Sequence, residues 1–122
     1  MLYFKQKEFA CKCKQCSPKY MDGEGWVQPM LLVYLDQLRA MVGKPLYVNS
    51  GYRCPEHNLN IGGSPSSQHK LGKAADLRYP KDFSHTAFIE MCQEVFSKGG
   101  VGIYPTFVHV DVRGYKARWE NK

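Results

Sequence analysis

The stretch Phe107-Val108-His109-Val110-Asp111-Val112-Arg113 alternates strictly between two kinds of side chain. Successive side chains of a strand point to opposite faces. Val108, Val110 and Val112 therefore share a core face, and Phe107, His109, Asp111 and Arg113 share the other. The segment reads as a half-buried strand, and a histidine on its polar face is set to project into a cleft. The rest of the chain must supply neighbours for this strand and a cover for its apolar face.

Those neighbours are legible in outline. From Val27 to Val42 the apolar residues Met30, Leu31, Val33, Tyr34, Leu38 and Met41 fit a helix packed on one side, with Pro29 in its first turn and Gly43 at its end. Residues 45–49 read as a short strand. Residues 51–72, rich in Gly, Ser, Pro and Asn, read as a long ordered loop with a helical turn near Pro55–Leu59, and loops of that length in small domains are usually functional. Ala74 to Tyr79 reads as a strand. Ser84 is an N-cap for a helix running to about Lys98, where Gly99-Gly100 stops it. Val101–Tyr104 forms a further strand, separated from the alternating one by Pro105. This order predicts an α+β domain with a small, mainly antiparallel sheet and flanking helices. At 122 residues the chain is one domain spanning 1–122, and the irregular segment 1–25, rich in Lys, Cys and Gly, belongs to it.

Composition narrows the function classes. A hydrophobic share of 43% and an aromatic share of 13% are those of a folded chain. No apolar run is long enough to span a bilayer. The apolar start Met1-Leu2-Tyr3-Phe4 turns basic at Lys5, without the apolar stretch and cleavage site of a secretory signal. The expectation is therefore synthesis in the cytoplasm and action elsewhere after release or delivery. The net charge of +6 draws the surface to polyanions, including an anionic bacterial envelope. No Lys/Arg run or nucleic-acid-binding motif accompanies it, so no specific nucleic-acid partner is expected. Five cysteines, Cys11, Cys13, Cys16, Cys54 and Cys92, cannot all pair within one chain. Cys11, Cys13, Cys16 and Cys54, or three thiolates with His57, would make a second, structural zinc site. Cys92 fits a helix core.

Chemistry concentrates in two places. In Ser67-Gln68-His69-Lys70-Leu71-Gly72-Lys73-Ala74-Ala75-Asp76, Gly72 allows a turn that brings His69 back toward Asp76 on the following strand. His109 lies on the alternating strand. His, Asp and His form a set of three N/O ligands, and catalytic zinc sites use three protein ligands and keep one position for water. Taken singly, either histidine reads better as an ordinary loop or strand residue.

Ser50-Gly51-Tyr52-Arg53, Ser67-x-His69-x-x-Gly72-x-Ala74-x-Asp76 and Val108-His109-Val110-Asp111 together resemble the zinc D-alanyl-D-alanine carboxypeptidases, in particular the branch of small bacterial and phage murein peptidases. The resemblance runs from about Phe9 to Arg113. It implies the hedgehog/DD-peptidase fold, a catalytic zinc held by His69, Asp76 and His109, and a role for Arg53 at the oxygen that becomes negative during attack. A guanidinium, always charged and fork-shaped, suits that task. Members of the family often carry a glutamate shortly before the last histidine, or a His-x-His. Here Ile103-Tyr104-Pro105-Thr106-Phe107 offers no carboxylate, and Phe107 stands where the first histidine would be.

Asp111 is then the first candidate for the general base. It lies on the same strand face as His109, roughly 6–7 Å along. The alternatives are orientation of a ligand from outside the coordination sphere, direct ligation in another register, or a plain pair with Arg113 or Arg78. Tyr104 and His57 are further candidates for transition-state hydrogen bonding. The resulting expectation is a monomeric zinc D,D-carboxypeptidase or endopeptidase, endolysin-like, acting on peptidoglycan stem peptides. The competing one is a catalytically silent, zinc-containing module that binds cell wall.

Overall fold

The computed structural model describes residues 28–51, 61–63, 68–71 and 73–121. The helix α1 spans Pro29–Val42 and buries Leu31, Leu35, Leu38 and Val42, which recur every three or four residues along one stripe. Pro29 suits the first turn because it has no N–H to leave unpaired. Gly43 ends the helix in the left-handed region, at φ 74°, and its N–H reaches the Arg39 carbonyl.

Five strands follow: β1 (Val48–Ser50), β2 (Ala74–Arg78), β3 (Gly100–Ile103), β4 (Phe107–Asp111) and β5 (Ala117–Glu120). They lie in the order β1-β2-β4-β3-β5. The first three pairings are antiparallel, while β5 joins β3 in parallel. The α+β class with a mainly antiparallel sheet is thus observed. The strand β5 was not expected, and it makes the sheet mixed. A 3-10 turn at Gln68–Leu71 falls within the segment read as loop.

The helix α2 covers His85–Val95, and the Ser84 hydroxyl caps it by accepting from the Ala87 N–H at 3.1 Å. It stops three residues before the expected Lys98, because Phe96 leaves helical backbone at φ −98°, ψ 41°. Phe88, Cys92 and Phe96, four residues apart, turn to the core, and Tyr34 of α1 meets Phe96 edge to face at 5.6 Å.

One face of the sheet carries Ala75, Leu77, Val101, Val108 and Val110, and both helices contribute to the same apolar cluster. Fully burying each Leu or Phe there contributes about 1.5–3 kcal/mol. The register sets the opposite face. Ser50 pairs with Asp76, Asp76 with His109, His109 with Gly102 and Gly102 with Trp119. A single row across the sheet thus holds two of the three expected ligands side by side. Among the described residues no helix is long and apolar enough to cross a membrane.

Candidate metal centre

His69, Asp76 and His109 come together on that face. One donor atom from each lies within 4.8 Å of the others. His69 Nε2 is 3.1 Å and His109 Nδ1 3.0 Å from the same oxygen, Asp76 Oδ1. Ligand atoms around a tetrahedral zinc sit roughly 3.3 Å apart, given bonds of about 2.0–2.1 Å. The two imidazoles stand edge to face, with centroids 5.1 Å apart. All three residues are buried, at 2%, 6% and 7% exposure. Elsewhere in a small domain such burial of ionisable groups is uncommon without partners.

The remote nitrogens explain how the rings are aimed. His69 Nδ1–H donates to the Gly51 carbonyl at 2.7 Å. His109 Nε2–H donates to Asp111 Oδ2 at 2.7 Å. These bonds turn His69 Nε2 and His109 Nδ1 toward Asp76. An acceptor behind each histidine is the arrangement that fixes tautomer and ring orientation in metal sites. The donor set, two imidazoles and a carboxylate, matches what zinc takes at catalytic centres.

Asp111 is fully buried and its oxygens are heavily engaged. Besides His109, Oδ1 accepts from the Gly100 N–H at 2.8 Å and from the Arg113 N–H at 3.1 Å. The Arg113 guanidinium forks onto the carboxylate, Nε to Oδ1 at 2.9 Å and Nη2 to Oδ2 at 2.8 Å. The carboxylate thus lies behind His109, bonded to the ring nitrogen that faces away from Asp76. The 6–7 Å expected along the strand closes to hydrogen-bond length because the two side chains lean together.

The electrostatics follow from these contacts. Burial alone would raise the Asp76 carboxyl, but its hydrogen bonds and charge interactions with His109 and His69 outweigh that and hold it well below the usual carboxylate range. For Asp111 burial is likewise outweighed, by His109 and then Arg113, and the pKa is again depressed. Burial would lower His109, yet hydrogen bonds to Asp111 and Asp76 win and raise its pKa. The two carboxylates flanking the imidazole thus favour its charged form.

Arg53, Cys11, Cys13, Cys16, Cys54, His57 and the turn expected near Pro55–Leu59 lie outside the described residues. Cys92 is buried in the core as expected, and burial pushes its thiol up. Arg78 does not reach Asp111; it donates to Asn49 at 2.6 Å. Two contributors escaped the sequence reading. A backbone carbonyl such as that of Gly51 carries no residue-type signal. Trp119, whose ring centroid lies 5.1 Å from that of His109, was signalled by Gly102: a glycine inside a strand often marks close approach of another group, and a Cβ there would collide with the indole.

With this geometry in hand, two similarities to known proteins bear on the site. A family model described as Peptidase M15 matches residues 2–111. A zinc D-Ala-D-Ala carboxypeptidase from Streptomyces albus G is 50% identical over 38 residues, which cover 31% of this chain and 15% of that protein. The match to that relative is therefore a short segment of its length.

Proposed function

This chain belongs to the Peptidase M15 family, and we propose on that basis that it is a zinc metallopeptidase hydrolysing peptide bonds in peptidoglycan stem peptides. The bond cut is that of a D,D-carboxypeptidase or of a murein endopeptidase. The observation that carries the reading is the pair of acceptors behind the two histidines, which aims the other nitrogen of each ring at one carboxylate oxygen. His69, Asp76 and His109 would hold the ion. Zinc bound there would lower the pKa of water to about 7 and polarise a carbonyl oxygen.

The chain's own groups do the rest. Gly51 and Asp111 fix the two rings. Arg113 and the Gly100 N–H neutralise Asp111, so that it stays an acceptor for His109 rather than taking a proton from water. Asp111 is thus a positioning residue in this reading. Arg53 is proposed to steady the oxyanion, on the strength of the Ser50-Gly51-Tyr52-Arg53 motif. The relative named a zinc D-Ala-D-Ala carboxypeptidase supports the substrate class.

The commitment of both Asp111 oxygens also favours a second reading, a silent zinc-containing module that binds cell wall without turnover. Metal analysis beside muropeptide digestion separates the two. The expected result is one zinc per chain in the wild type, lost in His69→Ala and His109→Ala, with zinc-dependent release of D-alanine or stem peptides. A zinc-loaded wild type that binds sacculi and releases nothing would leave the silent module standing. A wild type without affinity for zinc would sink both.

A further inference from the structure

Trp119 stands on β5, beyond residue 111 where the family match ends. Its indole lies over Gly102, tilted 47° against the His109 ring, and the Arg113 guanidinium sits 5.1 Å from its centroid. Its Nε1–H donates to the Tyr104 hydroxyl at 3.0 Å. We propose that Tyr104 is a substrate-binding residue, donating a hydrogen bond to a backbone oxygen of the bound peptide, and that Trp119 is the positioning residue that makes the phenol a donor. The proposal rests on the peptidase reading above and extends it to residues outside the metal cluster.

The argument is one of hydrogen-bond inventory. An indole N–H only donates, so the Tyr104 oxygen accepts from it. The single phenolic proton is then directed elsewhere. Among the described residues no acceptor takes it. The ring cannot easily swing to find one, because it stacks on Phe107 with centroids 4.4 Å apart and planes within 9°. Its backbone is tied as well, the Tyr104 carbonyl accepting from the Tyr79 hydroxyl at 2.9 Å. Tyr104 and Trp119 are both only partly buried, and Trp119 adjoins the His109 ring, which links the phenol to the edge of the metal cluster. A neutral donor suits a peptide carbonyl oxygen, which has lone pairs to satisfy when it leaves water. Were Trp119 only a packing residue, its N–H would be dispensable and its partner's O–H irrelevant to substrate.

The test is a double-mutant cycle on the zinc-loaded protein with Trp119→Phe, Tyr104→Phe and the double variant. Three quantities are read: kcat and KM on a pentapeptide muropeptide, affinity for a phosphinate mimic of D-Ala-D-Ala by calorimetry, and zinc affinity. Each single change is expected to cost about tenfold in kcat/KM and in phosphinate affinity, the loss of one hydrogen bond, with zinc affinity retained. The double variant is expected to be no worse than Tyr104→Phe, because Trp119 acts only through the hydroxyl which that change removes. Wild-type behaviour of Trp119→Phe, or losses that multiply in the double variant, would overturn the proposal. Should Trp119→Phe not fold, Tyr104→Phe decides alone, and unchanged kcat/KM and phosphinate affinity overturn it. A wild type that neither cleaves the muropeptide nor binds the phosphinate would instead bring down the peptidase reading itself.

Discussion

Replacing Asp111 by Asn separates an orienting carboxylate from a catalytic base. The side chain keeps its size and an acceptor oxygen, but the charge facing His109 and Arg113 disappears. The wild-type carboxylate is fully buried and bonded to His109 Nε2, Gly100 N and a forked guanidinium. Weakening the group behind a metal-bound histidine typically costs 10–100-fold in metal affinity, about 1.4–2.7 kcal/mol. Removing one member of a buried charge pair costs about 3 kcal/mol or more. For a domain of this size that lowers the apo Tm by roughly 10 °C. The assay is zinc competition against a chromophoric chelator, followed by turnover at saturating zinc. An orienting role predicts weaker zinc binding and a kcat within about tenfold of wild type once the site is filled, whereas loss of a general base costs about 10²–10⁴. Unchanged zinc affinity together with that larger loss would refute the reasoning and restore Asp111 as the base.

A proton and a zinc ion bound at the proposed site would compete for His109. Its pKa is raised in the folded protein, so its contribution to stability is complete below the unfolded value near 6.5 and is lost as pH rises through the folded value. The apo Tm should therefore fall across that window, while the increment in Tm on adding zinc grows, as calorimetry with and without chelator would show. Asp76 and Asp111 act at the other end: their depressed values support the fold above the ordinary carboxylate range and cease to do so in strong acid. Gly102→Ala should expel Trp119 from its seat, lowering stability by about 1–3 kcal/mol and weakening zinc binding, measured by denaturant unfolding and chelator competition. Cys92, buried with a thiol of raised pKa, should react with a thiol reagent only at the rate of unfolding, which mass spectrometry of the native and urea-treated protein would compare.

Much of the architecture was legible because it rests on local chemistry. Pro29 and Gly43 bracket α1, Ser84 caps α2, and the valine alternation of β4 fixes which face His109 takes. That His69, Asp76 and His109 should come together was suggested by residue types, their order and the family resemblance those motifs carry. What pairs with what across the sheet was not. The strand β5 is four residues long, has no β-branched residue and joins as a parallel edge, so period and propensity both pass over it. The direction in which Asp111 leans is a side-chain matter decided by Arg113 and Gly100. Neither the carbonyl of Gly51 nor the hydrogen-bond sense between Trp119 and Tyr104 has any counterpart in a one-dimensional pattern.

The donor atoms are contributed by residues 7 and 33 positions apart in the chain, on a 3-10 turn and two separate strands. Any ion seated among them is a cross-link that the unfolded polypeptide lacks. At a free concentration 100 times its dissociation constant, such an ion adds about 2.7 kcal/mol to the folding equilibrium, a sizeable part of what a domain this small can muster. If that ion is zinc, its supply would then also govern how much of the chain stays folded and resistant to proteases.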